Sequence, residues 1–216
     1  MVILSKVIEE HAQRVFNEFS EKHGSQEIAR VDALRTLGEI IVRKEIKSIL
    51  EIGCGIGTFT YFLQNTECFG ELRIIGFEKD EWCRGQLRTN VSEISLLSEL
   101  SQLESLSVGL DLLLIDDLLD YQVTQTLIAN TSPKFIFIEG HRRIQRLYVL
   151  KAIKNNKGNF QFRNFPKTQQ SSKVGCLFDC TAKKSNYIYA CVFIFFSLLY
   201  SKITELRSRV KLRRGR

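Results

Sequence analysis

Short apolar runs alternate along the chain with longer segments in which apolar residues recur every three or four positions. Runs of this kind are typical of strands buried on both faces, and the longer spacing is typical of helices. Strands are predicted at 48–52, 72–77, 110–115 and 134–138, and helices at about 57–65, 80–90, 122–128 and through Leu147, Leu150 and Ile153. The alternation predicts an α/β fold with a mostly parallel sheet and helices on both faces.

Two amphipathic helices are predicted ahead of the first strand, one up to about Lys22 and one carrying apolar residues from Ile28 to Ile41. The sequence leaves open whether they form a lid over a ligand or only cover the sheet and assist dimerisation. The predicted organisation is 1–44 for these helices, 45–182 for the α/β domain and 183–216 for a tail.

The second half of the predicted domain ends in an antiparallel hairpin. Apolar and polar residues alternate with period two at 159–165 and, more loosely, at 174–180. The segment 94–100 fits a short strand and a helix almost equally well. With that segment counted as a strand, the sheet has seven strands.

The tail contains a hydrophobic segment, 187–200, that carries no charged residue. A helix of this length covers about 21 Å, less than the hydrocarbon core of roughly 30 Å, so a comfortable membrane span is disfavoured. Basic residues on both sides favour an interfacial or re-entrant anchor at an anionic membrane surface. A last helix packed on the domain and a tight single span remain as alternatives.

The net charge of +7 lies mainly at the end of the chain. Residues 201–216 contribute +6, which leaves +1 for the first 200 residues. A nucleic-acid partner is therefore not expected, since such a domain spreads its basic residues over the fold. The six cysteines are scattered without zinc-site spacing, and no signal-peptide pattern opens the chain. The expected location is the cytoplasmic face of a membrane or, alternatively, the cytoplasm.

The candidate chemistry begins at a glycine-rich turn after the first strand. Gly53, Gly55 and Gly57 follow at alternate positions, and such a turn brings backbone N–H groups and a helix N-terminus close to a ligand. The dinucleotide-binding pattern needs a glycine at the position of Thr58, so this turn departs from it. Glu51 precedes the turn, and a second acid, Glu78, ends the next strand, where it can accept hydrogen bonds from ribose hydroxyls.

This order of strand, glycine turn, helix, strand and acid resembles the class I S-adenosylmethionine-dependent methyltransferases over roughly residues 26–180. The resemblance implies a Rossmann-like seven-stranded sheet and S-adenosylmethionine as cofactor. The residues implied to hold the cofactor are Glu51, Gly53, Cys54, Gly55, Gly57, Glu78 and Asp116. Asp116, at the end of the fourth strand, is placed beside the transferred methyl group.

The segment from Leu114 to Val123 resembles the fourth-strand region of the small O-methyltransferase-like group. Members of that group often have an aspartate–histidine pair where this chain has Leu118 and Leu119. Leucine cannot ligate a divalent ion, so we expect no catalytic metal. After the fifth strand, His141 is the candidate general base. Three nearby arginines, Arg142, Arg143 and Arg146, either bind an anionic acceptor or, as favoured here, form the solvated face of the next helix.

The resulting hypothesis is methyl transfer to a small-molecule, lipid or glycan acceptor at a membrane surface, with Asp116 and His141 as catalytic residues. One alternative is a membrane-tethered module that binds the cofactor without catalysis, which the missing aspartate–histidine pair favours. Another is an NAD-dependent oxidoreductase, which Thr58 and the absence of a recognisable Tyr–Lys pair disfavour. The sequence does not determine the acceptor or the oligomeric state.

Overall fold

A computed structural model describes residues 2–140, 142–165 and 174–199 of the 216-residue chain. The strands are β1 (Ser48–Ile52), β2 (Arg73–Phe77), β3 (Ser95–Leu97), β4 (Leu112–Ile115), β5 (Phe135–Glu139), β6 (Gln161–Phe165) and β7 (Gly175–Asp179). The helices are α1 (Val2–Ser20), α2 (Val31–Arg43), α3 (Thr58–Gln64), α4 (Glu81–Asn90), α5 (Leu100–Ser105), α6 (Tyr121–Thr131), α7 (Arg143–Asn155) and α8 (187–199). The ambiguous segment 94–100 is thus a short strand followed by the start of a helix.

The strands form one sheet in the order β3-β2-β1-β4-β5-β7-β6. The first five are parallel, and β7 runs antiparallel to both of its neighbours. The predicted Rossmann-like fold with a mostly parallel seven-stranded sheet is therefore confirmed for the described residues. The chain moves outward from β1 to β3 and then returns to the other side of β1, so the topological switch point lies between β1 and β4. Ligands of open α/β sheets bind outside the carboxyl ends of the strands at such a point.

Alternate side chains of the central strands enter two separate cores. Ile49 and Leu114 point to the face that α1, α2 and α3 cover. Leu50 and Ile115 point to the opposite face, which packs against α5, α6 and α7. The two N-terminal helices thus cover one face of the sheet, and Glu51, two residues after Ile49, lies on the same side as they do.

The hydrophobic segment of the tail forms α8, which packs on the domain. Ala190 and Ile194 are fully buried in the second core. Just before the helix, the Asn186 amide pairs with β6: its oxygen accepts from the Phe162 N–H at 2.7 Å, and its nitrogen donates to the Phe162 carbonyl at 2.9 Å. Residues 187–199 therefore pack on the α/β domain, as in the packed-helix alternative.

The basic end of the chain, residues 200–216, lies outside the described residues. Within 2–140, 142–165 and 174–199, no helix combines the length and the apolar character that a membrane crossing needs.

Candidate active site

The glycine-rich turn is fixed to the end of β2. The N–H groups of Gly53 and Cys54 both donate to the carbonyl of Phe77, at 2.8 and 3.3 Å. Gly53, Gly55 and Gly57 have φ values of 83°, 55° and 99°, in the left-handed region that side chains disfavour. The turn therefore depends on glycine for its path, as its sequence predicts.

Gly55 and Gly57 have different surroundings. A Cβ added at Gly55 would meet no atom within 4 Å, whereas one at Gly57 would lie 2.6 Å from Val91 and 2.7 Å from Leu87 of α4. Gly55 thus faces open space beside the turn. Gly57, which immediately precedes α3, allows that helix to pack closely on α4.

A cavity of about 250 Å³ lies directly over the turn. Residues 53–56, Thr58 and Phe59 form its floor, and Trp82, Cys83 and Asp116 lie at its sides. Its cover is the connector between α1 and α2, which contributes Gly24 and residues 26–29. The connector is in close contact with α4, because a Cβ at Gly24 would lie 2.5 Å from the Trp82 ring. The helices themselves cover one face of the sheet, whereas their connector lies over the glycine turn.

Glu78 is buried next to the turn. One carboxylate oxygen accepts a hydrogen bond from the Gly55 N–H at 2.7 Å, and the other accepts from the Asp80 N–H at 2.9 Å. Asp80 in turn caps α4 by accepting from the Cys83 N–H. Since a carboxylate has about four lone-pair sites, the two bonds leave Glu78 able to accept further hydrogen bonds.

Glu51 is fully buried below the turn, and its carboxyl accepts a hydrogen bond from the Thr60 hydroxyl at 2.7 Å. The other carboxyl oxygen, Oε1, has no hydrogen-bond partner among the described residues. Burial raises the pKa of Glu51, the Thr60 hydrogen bond lowers it and the charge of Glu78 raises it, which together bring it to about 8. Without a ligand the side chain is thus largely neutral near pH 7.

Asp116 follows β4 and lines the cavity. Arg142 donates to both its carboxylate and its backbone carbonyl. Burial and the neighbouring Glu139 raise the pKa of Asp116 well above its usual range, although Arg142 acts in the opposite direction. The acid predicted beside the reacting centre therefore has two partners, Glu139 and Arg142.

Two further residues near the start of α7 connect the loops at this edge. Gln145 is fully buried, accepts from the Leu119 N–H at 2.9 Å and donates to the Thr124 hydroxyl at 3.0 Å. Arg146 is only 3% exposed and donates to the carbonyl of Gly140. The expectation that the arginines form a solvated helix face is therefore wrong for Arg146, and Arg142 is engaged with Asp116.

The remaining predicted site residues are Cys54 and His141. Cys54 is buried at the cavity floor, and burial raises its thiol pKa well above the usual range. His141 lies outside the described residues. In the part of the chain that the structure describes, no group of three or more His, Cys, Asp or Glu side chains could hold a metal ion. Leu118 and Leu119 stand where the small O-methyltransferase-like group often has an aspartate–histidine pair. Leu118 is exposed and Leu119 is buried.

The comparison with known proteins rests on structure. No protein-family model matches the chain, and no curated protein matches it in sequence. The O-methyltransferase of Bacillus cereus in complex with SAH aligns with a TM-score of 0.56 at 14% identity, over 78% of this chain and 89% of that one. The methyltransferase domain of bacterial CtHen1 gives 0.53 at 15% identity, over 68% and 97%. SAH-bound PaMTH1 of Podospora anserina gives 0.52 at 12%, over 78% and 87%.

The chain therefore has the fold of class I S-adenosylmethionine-dependent methyltransferases, as its sequence resemblance implied. The site in this fold contains residues for which the sequence predicts no role: the cavity-lining Trp82 and Cys83, and Glu139 beside Asp116. Glu139 does carry a signal in the sequence, because it ends an apolar strand as Asp116 does. The contacts of Trp82 with Gly24 join residues distant in the chain and have no local signature.

Proposed function

We propose that the protein transfers the methyl group of S-adenosylmethionine to an acceptor, without a catalytic metal. The proposal rests chiefly on two buried carboxyl groups, Glu51 and Glu78, on either side of the glycine turn at the switch point of the sheet. The cofactor carries a positive sulfonium and a ribose with two hydroxyls. Carboxylates complement both, the first by charge and the second by accepting hydrogen bonds.

The chain's residues have distinct proposed roles. Gly53, Cys54, Gly55 and Gly57 shape the turn, Glu78 binds the ribose, and Glu51 faces the charged part of the cofactor. When bound, S-adenosylmethionine supplies a methyl group on a sulfonium that becomes a neutral thioether. Asp116 holds the acceptor beside that methyl group, and the cover at 26–29 excludes water. His141 is retained as a candidate base.

Radiolabelled methyl donor tests the activity. Purified protein is incubated with it and with fractionated lipids, glycans and soluble metabolites, with and without a chelator. We expect label in one fraction, unchanged by chelation and reduced at least tenfold by Asp116→Ala, because an acceptor misplaced by about 1 Å loses that much rate or more. Label that disappears with chelation would contradict the metal-independent mechanism. Cofactor binding with no transfer to any fraction would favour the non-catalytic module.

We further propose that the acceptor is reached at an anionic membrane surface, through the outer face of α8. The helix buries one side in the domain and leaves a stripe of apolar residues exposed. The residues at least two-fifths exposed are Ile188, Tyr189, Val192, Phe195, Phe196 and Leu199. Their spacing of three and four residues places most of them on one helix face. Contiguous exposed apolar surface of this kind marks an interaction site.

Charge supports a lipid occupant for this apolar stripe. Lys183 and Lys184 precede α8, and residues 201–216 add seven basic residues against one acid. Each basic residue near an anionic leaflet contributes about 1 kcal/mol, and apolar insertion with a basic cluster supplies the two signals that stable attachment needs.

Flotation with vesicles tests this attachment. The double variant Phe195→Ser/Phe196→Ser removes two exposed rings, and we expect it to bind phosphatidylserine-containing vesicles at least tenfold more weakly. Ile144→Ser is the matched control, since Ile144 is 48% exposed and belongs to α7, not to α8. Binding should also fall with salt and be weaker to phosphatidylcholine alone. Equal flotation of the double variant and the wild type would contradict the proposal. Truncation before α8 is unsuitable, because it would expose the core around Ala190 and Ile194.

A further inference from the structure

Asp116 and Glu139 lie side by side at the carboxyl edge of the sheet. β4 and β5 are parallel, with Ile115 paired to Ile138, so the next residue of each strand continues the same register. The side chains before them on the same face, Leu114 and Phe137, belong to the core under α1 and α2. The two carboxyl groups therefore share one face of the sheet, and Glu139 hydrogen-bonds to Asp116.

A hydrogen bond between two carboxyl groups needs a proton, because two carboxylates only accept. Both residues are largely buried: Glu139 is 8% exposed and the side chain of Asp116 is 13% exposed. The ionisable groups that face them are Arg142, which donates to Asp116, and Glu51 on β1, which is largely neutral near pH 7 before a ligand binds. One arginine balances one negative charge, so this environment favours a pair that holds a single proton.

We propose that Asp116 and Glu139 act as one carboxyl pair that gives up its proton when the sulfonium binds and takes the acceptor's proton when the methyl group leaves. The inference rests on the proposed function and adds Glu139 to it. A lone pair of the acceptor forms the bond to the methyl carbon, and the carbon–sulfur bond breaks with its electrons going to sulfur. The acceptor's proton moves to the pair, which therefore takes the role of base for which His141 is the other candidate.

The summed charge of the pair, Arg142 and the sulfur atom then stays constant through the reaction. Before binding, the singly protonated pair and Arg142 sum to zero. With the sulfonium bound, a doubly ionised pair faces two positive charges. After transfer, sulfur is neutral, and the pair has regained one proton. A site that avoids net charge in every state avoids the large cost of a buried unpaired ion.

Calorimetry of the full chain in buffers of different ionisation enthalpy tests the inference without knowledge of the acceptor. S-adenosylmethionine and S-adenosylhomocysteine differ at the sulfur by one methyl group and one positive charge. Near pH 7, we expect the sulfonium compound to release about one proton more than the thioether. Glu139→Gln should remove most of this difference, since Asp116 then pairs with Arg142 alone. Asp117→Asn is the control, because Asp117 is partly exposed and pairs with Lys79 outside the buried pair.

The outcomes separate the two proposals. Binding of both compounds with equal proton release in the wild type would overturn the carboxyl pair while leaving the methyltransferase function intact. If neither compound binds, the proposed function is overturned, and this inference with it. If Glu139→Gln does not fold, Glu51→Gln separates the two possible sources of the proton: a difference between the two compounds that persists in this variant belongs to the pair, and one that disappears belongs to Glu51 and overturns the inference.

Discussion

Glu51→Gln is expected to make the protein more stable in mild alkali while weakening its affinity for S-adenosylmethionine. The folded protein holds a proton on Glu51 up to a pKa of about 8, whereas the ordinary value is 4.5. Between those values the folded state binds more protons than the unfolded state. The protonated Glu51 therefore contributes its full stabilisation below about pH 4.5, and this stabilisation is lost as the pH rises through about 8. Glutamine is neutral throughout and does not incur this loss.

Urea denaturation at two pH values measures the effect. Near pH 5 the variant and the wild type should agree within about 1 kcal/mol, and near pH 8.5 the variant should be more stable by roughly 3–5 kcal/mol. The pKa of Asp116 is raised as well, so part of the pH dependence should persist in the variant. Glu104→Gln, an exposed change on α5, should shift stability by less than about 0.5 kcal/mol. If Glu51→Gln and the wild type lost the same stability between pH 5 and pH 8.5, Glu51 would be ionised in its buried position, and the prediction would be wrong.

Gly57→Ala is expected to destabilise the fold by about 3 kcal/mol. The new methyl group would lie 2.6 Å from Val91 and 2.7 Å from Leu87, at a backbone φ of 99°. Overpacking costs about 1–3 kcal/mol and left-handed strain about 1–2 kcal/mol more. Urea denaturation of the variant measures the loss.

Gly55→Ala is the matched control for this prediction. Its methyl group would meet no atom within 4 Å, at a φ of 55°, so we expect a loss near 1 kcal/mol. Because Gly55 lines the cavity, the same methyl group should reduce cofactor affinity at least tenfold. The two alanine variants thus separate an effect on the stability of the fold from an effect on cofactor affinity. A stable Gly57→Ala protein, or a Gly55→Ala protein that binds normally, would contradict the assigned surroundings.

The sequence predicts the strands and the glycine turn because their signals are local. The apolar runs, the turn glycines and the acids at strand ends each depend on neighbours within a few positions. The same local signals, together with the family resemblance, make Glu51, Glu78 and Asp116 site candidates. Their proximity to one sheet edge follows from parallel strand direction alone.

The features that the sequence does not yield depend on contacts between distant segments. Arg142 and Asp116 are 26 positions apart in the sequence. Nothing in the residues around Arg142 indicates that its side chain is paired with this aspartate. Likewise, α8 has apolar residues on every side, so its pattern cannot show which face Ala190 and Ile194 bury. Burial of a group and the resulting pKa of Glu51 are properties of packing, which periodicity does not specify.

Titration calorimetry with S-adenosylmethionine tests the central claim most directly. We expect saturable binding of one molecule per chain, weakened roughly ten- to hundredfold by Glu78→Ala, since a hydrogen bond to a charged group contributes about 1.5–3 kcal/mol. Excess NAD should not displace the ligand. No affinity for S-adenosylmethionine, or NAD binding that S-adenosylmethionine cannot displace, would contradict the proposed function.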